Sequence, residues 1–385
     1  MTTDNAEYHK SFLASVERNQ MHISRLLLTS LFALNMFQAA QPYTSKFISL
    51  QYEESLDPLL YGIGIDDTYY VVTWVIGLTF LRSFLMTWCF SPFSSVVLHI
   101  HSRKAKVRFA EQSWSFVYYT ISFLFGVYLY IGAPYYNNID NLYIAWPHDH
   151  YTHMFKTYYL AQVGFWIQQI FVLNVEERRK DHYQMFSHHI ITCLLLIGSY
   201  YYHFTRIGHL ILMIMDSVDI FLAAAKMLKY AGFSTMCDIM FLMFLVSWIV
   251  LRHGVYNVLF YHAWFYSTDL MLDGQCSGVP QTTRCWTPTV IKAFLGLLGG
   301  LQIITIVWMY LILKVAYKVI TGKGAEDVRS DDEDTDHEGE SKPKADTTSD
   351  SEKEKAKVEK TVAASEASDD SSTTDLDEPS EKLQE

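Results

Sequence analysis

Long apolar segments recur along the chain, and most polar positions fall between them. Each segment reaches about the 20 residues that an α-helix needs to cross about 30 Å of hydrocarbon. The segments cover residues 23–40, 69–90, 114–134, 158–175, 185–202, 207–228, 239–260 and 290–319. The pattern therefore predicts an all-α polytopic membrane protein with about eight transmembrane helices. The first segment lacks a small-residue cleavage site after it, so we expect it to be retained as an anchor.

Basic residues cluster in alternate connections, after the second, fourth, sixth and eighth segments. The positive-inside rule places these connections in the cytosol. With eight spans, both termini are then predicted to be cytosolic.

The composition agrees with this class, because 50% of the residues are hydrophobic and 15% are aromatic. The net charge of −11 is unevenly distributed. From Ala325 onward there are 22 acidic and 8 basic residues, so this tail carries −14 and the preceding residues carry +3. The tail has too few apolar residues to form a core, which predicts disorder over residues 323–385.

Several serine and threonine residues in the tail have an acidic residue three positions downstream. This pattern suits an acidophilic kinase of the casein kinase II type, although incidental sites on a solvated spacer remain the alternative. The predicted phosphorylation sites are Ser330, Thr335, Ser349, Ser351, Ser372 and Thr374.

Two imidazoles, His188 and His189, and two carboxylates, Asp216 and Asp219, fall inside consecutive apolar segments. Ionisable groups in hydrocarbon are costly and usually mark functional sites. At 100° per residue, His188 shares a polar stripe with other residues of its helix, and both aspartates share a stripe on the next helix. The connection between the two helices is short, so the stripes are expected to meet.

Such a set can perform chemistry on a substrate that lies in the bilayer. A histidine serves as nucleophile or general base near neutral pH. A carboxylate that accepts a hydrogen bond from the other ring nitrogen would fix the tautomer of the imidazole and stabilise the positive charge that develops on it. The alternative is a structural hydrogen-bond network between helices.

Metal chemistry is the competing interpretation of the histidines. Di-iron desaturases need several closely spaced histidine boxes, and elongases carry an H-x-x-H-H box, whereas position 185 here is Met. His148, His150 and His153 have ligand-like spacing but belong to an interfacial connection. We therefore predict no metal site.

Two cysteines, Cys276 and Cys285, lie in a connection predicted to be lumenal, where disulfides persist. A Cys276–Cys285 disulfide is the expectation, and two unrelated thiols are the alternative.

Residues 158–230 resemble the longevity-assurance motif of the TLC-domain ceramide synthases, in the fungal type without a homeobox-like insert. The matching pieces are E-R-R-K-D-H at 177–182, M-F-S-H-H at 185–189, S-Y-Y-Y at 199–202, R-I-G at 206–208, D-S-V-D at 216–219 and A-A-K-M-L-K-Y at 224–230. Upstream, R-F-A-E-Q-S-W at 108–114 resembles the start of that domain. The expected organisation is a cytosolic N terminus with two transmembrane helices over 1–104, a TLC domain over 105–322 and the acidic tail.

The resemblance implies sphingoid base N-acyltransfer, in which a fatty acyl group, expected to be very long, passes from acyl-CoA to a long-chain base. The products would be dihydro- or phytoceramide and CoA, and His188, His189, Asp216 and Asp219 would be the catalytic set. The alternative function is a non-catalytic TLC-domain lipid sensor or transporter.

No bound cofactor is expected, and acyl-CoA would be a co-substrate. The phosphates of CoA cannot enter the hydrocarbon, so they must stay at the cytosolic surface, where basic residues cluster. The alternative is that these basic residues only set the membrane topology, as the positive-inside rule describes. They are Arg178, Arg179, Lys180, Lys226 and Lys229. We also expect location in the endoplasmic reticulum membrane, and a homo- or hetero-oligomer with a paralogous synthase and a small single-span regulatory subunit. Nucleic acid is not an expected partner.

Overall fold

The computed structural model describes residues 3–56, 58–176, 181–272 and 285–321, and most of them are helical. The helices are α1 (Thr3–Asn35), α2 (Gln41–Ile48), α3 (Asp67–Leu85), α4 (Ser91–Val96), α5 (Arg103–Ile131), α6 (His153–Val175), α7 (His182–Tyr201), α8 (Thr205–Tyr230), α9 (Ser234–Ser247), α10 (Tyr256–Phe265), α11 (Ser267–Leu270) and α12 (Pro288–Ile320). π-helical segments at Met86–Phe90 and Trp248–Val255 continue α3 into α4 and α9 into α10. The strands are β1 (Glu53–Leu56), β2 (Leu59–Tyr61) and β3 (Tyr151–Thr152).

Five helical stretches among the described residues are long and apolar enough to cross a membrane. They are Asp67–Val96, Arg103–Ile131, Thr205–Tyr230, Ser234–Phe265 and Pro288–Val319. They coincide with five of the eight predicted spans, so the protein is a helical membrane protein, and the other three spans remain predictions. The first of these three was predicted to end at residue 40, whereas α1 ends at Asn35 and a separate short helix follows.

The other two helices, α6 and α7, are long enough to span but carry more polar residues. In α6 the side chains of Lys156, Gln162 and Gln168 are almost completely buried. In α7 the polar residues include the His188–His189 pair. Polar groups inside a bilayer must face protein or a cavity. The lower hydropathy of α6 and α7 is therefore explained by polar side chains that face the interior of the protein rather than lipid.

Helix α8 lies at the centre of the bundle and packs against α5, α7 and α9. Three buried apolar clusters surround it. The first joins α8, α10, α12 and the segment after α5. The second joins α3, α5, α6 and α7. The third joins the C-terminal half of α8 to α9 and α12 through residues such as Val218, Phe244 and Trp308.

A small antiparallel sheet was not expected for an all-α chain. Strand β2 pairs with β1 and with β3, and Tyr61 lies opposite Tyr151. The Lys156 ammonium lies beneath this sheet and donates to the carbonyls of Gln51 and Gly62, each at 2.8 Å. It also pairs with Asp67 at 2.8 Å. The backbone carbonyls and one carboxylate thus satisfy a fully buried ammonium, and this satisfied cluster fixes the sheet to α3 and α6.

Candidate active site

The four predicted catalytic residues lie on α7 and α8, which the short turn at 202–204 connects. His188 lies six residues after the first residue of α7, which is about 9 Å along the helix. Asp219 lies eleven residues before the end of α8, or about 16 Å. The candidate site is therefore inside the helical bundle, and closer to the N terminus of α7 than to its C terminus.

A cavity passes between α7, α8 and α12. His188, Asp219 and Arg252 line one part of it. The rest of the wall is mostly apolar and includes Ile207, Ile211, Leu295 and Leu298. From Ile207 to Asp219 the cavity follows about 18 Å of α8. Such a chamber, apolar along its length with a few convergent polar groups, is typical of a lipid-binding site.

Four large apolar side chains beside the site are packed against one another. Phe221, Leu222, Phe244 and Trp248 belong to a cluster with Trp308. None of the four lines the cavity. The sequence places these side chains in a helical bundle but does not say which faces of the helices remain unfilled.

The two imidazoles have different surroundings. His189 is buried, and its Nδ1 donates to the backbone carbonyl of Met185 at 2.5 Å, which leaves the lone pair on Nε2. His188 faces the cavity, and its Nδ1 has no hydrogen-bond partner in the described part of the chain. The Trp166 ring lies 5.4 Å from each imidazole, centroid to centroid. Only His188 of the pair can meet a ligand in the cavity without rearrangement.

Asp216 is anchored away from the cavity, and its side chain is almost fully buried. Its Oδ2 accepts from Ser122 Oγ at 2.6 Å and from Gln162 Nε2 at 3.2 Å. Gln162 Oε1 in turn accepts from Tyr118 at 3.0 Å. Asp216 thus connects α8 to both α5 and α6 through a hydrogen-bonded network.

Asp219 reaches a different partner and faces the cavity. Its Oδ1 lies 2.8 Å from Arg252 Nη2. The guanidinium also donates to the Met215 carbonyl at 3.2 Å and lies 4.2 Å above the Trp248 ring. Arg252 pairs inside the site, because the π-helical segment Trp248–Val255 turns this side chain toward α8.

The predicted carboxylate–imidazole hydrogen bond is not formed among the described residues. Asp216 is bound by a serine and a glutamine, and Asp219 by an arginine. The structure therefore places the four residues in one region, with His188 and Asp219 on the cavity wall and His189 and Asp216 behind it.

The remaining predicted site residues are distributed as follows. Lys226 and Lys229 are partly buried near the C-terminal end of α8 and do not line the cavity. Cys285 is disulfide-bonded, whereas Cys89, Cys193 and Cys237 are free. Several predictions lie outside the described residues: Arg178, Arg179 and Lys180, the predicted disulfide partner Cys276, and the phosphorylation sites Ser330, Thr335, Ser349, Ser351, Ser372 and Thr374.

The three histidines with ligand-like spacing have separate partners. His148 donates from Nε2 to the Ile144 carbonyl at 2.9 Å, and burial lowers its pKa to about 4. His150 lies 2.7 Å from Asp149 and 3.2 Å from Glu54. The His153 ring packs edge-on against Tyr61, with the ring centroids 5.9 Å apart. Within the described ranges, no group of three His, Cys, Asp or Glu is arranged to hold a metal ion.

The sequence analysis did not identify four contributors: Ser122, Gln162, Trp166 and Arg252 as a partner of Asp219. Ser122 and Gln162 could have been found from the sequence, since each is a polar residue inside a predicted span. Trp166 could not, because aromatic residues are common in membrane helices.

Comparison with known proteins identifies the family. A family model described as the TLC domain matches residues 108–314. This chain belongs to the TLC-domain family. Its relatives within that family include "Sphingosine N-acyltransferase lag1" of Schizosaccharomyces pombe, 39% identical over 82% of this chain and 79% of the relative. "Ceramide Synthase FUM18" of Gibberella moniliformis is 35% identical over 76% of this chain and 74% of its own.

A third relative, "Ceramide synthase LAG1" of Saccharomyces cerevisiae, is 34% identical over 74% of this chain and 69% of its own length. The chain thus lies in the ceramide synthase branch of the TLC-domain family, with fungal relatives, and it is an acyltransferase. The family assignment made from the motifs is confirmed. The individual site residues remain predictions, which the geometry above now makes specific.

Proposed function

We propose that this TLC-domain acyltransferase transfers a fatty acyl group from acyl-CoA to the amine of a sphingoid long-chain base, which gives dihydro- or phytoceramide and CoA. One observation carries the proposal: His188 lies at the polar part of a cavity whose remaining wall is mostly apolar. A long acyl chain would occupy the apolar part and bring its thioester carbonyl to His188. A very long chain is our preferred substrate.

In the first step, His188 is the nucleophile. The lone pair of its imidazole attacks the thioester carbonyl carbon, the carbon–sulfur bond breaks, and the imidazole proton leaves with the CoA thiolate. The products are free CoA and an acyl-imidazole. Covalent catalysis of this kind splits one difficult step into two easier ones and gives ping-pong kinetics.

In the second step, the amine of the long-chain base attacks the acyl-imidazole carbon. The carbon–nitrogen bond to His188 breaks, and the proton released by the amine returns to the imidazole. A base that arrives as an ammonium must first lose one proton. Asp219 faces the cavity and is therefore the first candidate to accept that proton. His189 has a lone pair on Nε2 but lies behind the cavity wall, so it could accept the proton only after a rearrangement of its side chain. Asp216 holds α5, α6 and α8 in position through Ser122 and Gln162.

The CoA moiety would remain outside the hydrocarbon. We propose that its phosphates bind Lys226 and Lys229 together with Arg178, Arg179 and Lys180, because the chain order brings these bases to the cytosolic ends of neighbouring helices. In this arrangement the protein is a multi-pass protein of the endoplasmic reticulum membrane with both termini in the cytosol.

The proposal is tested by incubating the purified protein in detergent with a saturated fatty acyl-CoA and dihydrosphingosine. Mass spectrometry should detect dihydroceramide together with stoichiometric free CoA. A protein that binds both lipids but forms no amide would instead support the alternative function, a lipid sensor or transporter.

A further inference from the structure

Two N–H donors on the cavity wall have no partner in the described part of the chain. They are the indole Nε1 of Trp166 and the Nε of Arg252. Trp166 is 6% exposed and Arg252 is 4% exposed. Buried donors are rarely left unpaired in native proteins, and each exception requires an explanation. Both belong to the same cavity as His188, so the missing acceptor can be a group that arrives with the substrate.

The Arg252 guanidinium is fixed in place. Its Nη2 donates to the Asp219 carboxylate and to the Met215 carbonyl, and its Cζ lies 4.2 Å from the centroid of the Trp248 ring. Nε has no partner among the described residues. The side chain comes from an eight-residue π-helical segment, a rare geometry that often marks functional sites. The ion pair with Asp219 therefore orients the guanidinium as well as balancing its charge.

We propose that Trp166 and Arg252 form an oxyanion site that receives the acyl carbonyl oxygen when His188 is acylated and again when the amine attacks. The inference rests on the proposed acyl transfer. In both steps the carbonyl oxygen gains negative charge as the carbon becomes tetrahedral. Preorganised donors aimed at such an oxygen act strongly in a water-excluded site, and removing one donor typically costs about 10² to 10³ in kcat.

Each donor has a distinct contribution. Trp166 contacts the rings of both His188 and His189, so its position is fixed relative to the nucleophile. Arg252 supplies a positive charge on the same cavity wall as His188. A neutral donor and a charged donor would thus hold the oxygen from two helices, α6 and the α9–α10 helix.

The chain offers a matched control in Trp308. Its ring lies 5.1 Å from His188, as close as that of Trp166, and its Nε1 also has no partner among the described residues. Trp308 does not line the cavity, however. Replacing either tryptophan with phenylalanine removes one N–H and keeps an aromatic ring against His188. Only the Trp166 change should remove an oxyanion donor.

The experiment measures kcat and KM for dihydroceramide formation in detergent, together with binding of the S-alkyl-CoA thioether of the same chain length, which lacks the carbonyl. We expect Trp166→Phe to lower kcat about 10²-fold, while KM for acyl-CoA and thioether binding stay within about twofold. Trp308→Phe should retain kcat within about threefold. Equal losses in both variants would show that packing around His188 is responsible, and full activity of Trp166→Phe would also overturn the proposal.

Arg252→Lys provides the second variant. Lysine keeps a positive charge to pair with Asp219 but has no Nε–H, so kcat should fall at least tenfold with unchanged thioether binding. Thioether binding also measures the folded fraction, to which every kcat is normalised. If Arg252→Lys retains the wild-type kcat, Arg252 does not donate to the oxyanion and its proposed role is wrong. A wild-type protein that makes no dihydroceramide would contradict the proposed acyl transfer itself. The result for the wild-type protein therefore tests the proposed function, and the results for the variants test the oxyanion site.

Discussion

Arg252 and Asp219 form a largely buried ion pair at 2.8 Å between two membrane-spanning helices, on the wall of the cavity that His188 lines. In the sequence, Arg252 is an isolated cation in an apolar segment, and Asp219 is half of a D-x-x-D motif. The pair explains both, because each ion compensates the charge of the other in a medium where neither could remain alone.

Removing one member of the pair should cost more stability than removing both. Asp219→Asn leaves the Arg252 charge without its carboxylate, and Arg252→Met leaves the Asp219 charge, so each should destabilise the fold by about 3 kcal/mol or more. The double variant should recover a substantial part of that loss. The measurement is a double-mutant cycle of thermal unfolding in detergent. Additive effects would show that the two charges are not coupled.

His188→Ala should abolish acyl transfer while the protein still inserts and folds, because the nucleophile is removed from the cavity wall. Asp216→Ala should do the same, since Ser122 and Gln162 lose the acceptor that joins three helices. Dihydroceramide formation is compared at matched expression. The control is His153→Ala, an exposed imidazole at the start of α6 that lies away from the cavity. Wild-type activity in either the His188 or the Asp216 variant would contradict the assigned site.

Two glycines in long helices provide a test of the packing between α3 and α6. A Cβ on Gly164 would lie 2.6 Å from Trp74 Cβ, so Gly164→Ala must push the helices apart. Overpacking of this kind costs about 1–3 kcal/mol. Gly77, on α3, has nothing within 4 Å of its added Cβ, so Gly77→Ala should be neutral or stabilise by up to about 1 kcal/mol. The comparison of Tm values in detergent checks both, and equal destabilisation would reject the close approach at Gly164.

The tail should be dispensable for chemistry. Deletion of residues 324–385 removes the predicted phosphorylation sites and leaves the whole described bundle, so dihydroceramide formation in vitro should persist. Phosphorylation would add about −1.5 to −2 charges per site, which suits regulation through the basic cytosolic segments. A truncated protein that inserts normally but is inactive would show that the tail has an essential role.

The sequence predicted the membrane-spanning helices and the four candidate site residues, because hydropathy identifies the first and the cost of burying ionisable groups identifies the second. Hydropathy identified five spans that the structure also contains. The cost of burying ionisable groups singled out His188, His189, Asp216 and Asp219 as candidate functional residues. The four residues lie on two consecutive helices, as predicted, and the short turn at 202–204 makes these helices antiparallel neighbours.

The partners of those residues could not be predicted in the same way. Asp216 bonds to Ser122 and Gln162, which are distant in sequence, and their meeting depends on how α5, α6 and α8 pack. The π-helical segment that orients Arg252 has no clear sequence signal, so regular α-helical periodicity does not predict where this side chain points. The course of the cavity follows from which helix faces are left unfilled, a property of packing that hydropathy does not contain.

The most direct test of acyl transfer through His188 is intact-mass analysis of the purified protein after incubation with acyl-CoA alone. We predict an added mass equal to one acyl group, with free CoA in solution and the adduct mapped to the peptide that carries His188. Addition of dihydrosphingosine should remove the adduct and yield dihydroceramide. An enzyme that makes dihydroceramide yet shows no adduct under any condition, with sequential kinetics, would contradict this account and favour direct attack by the amine.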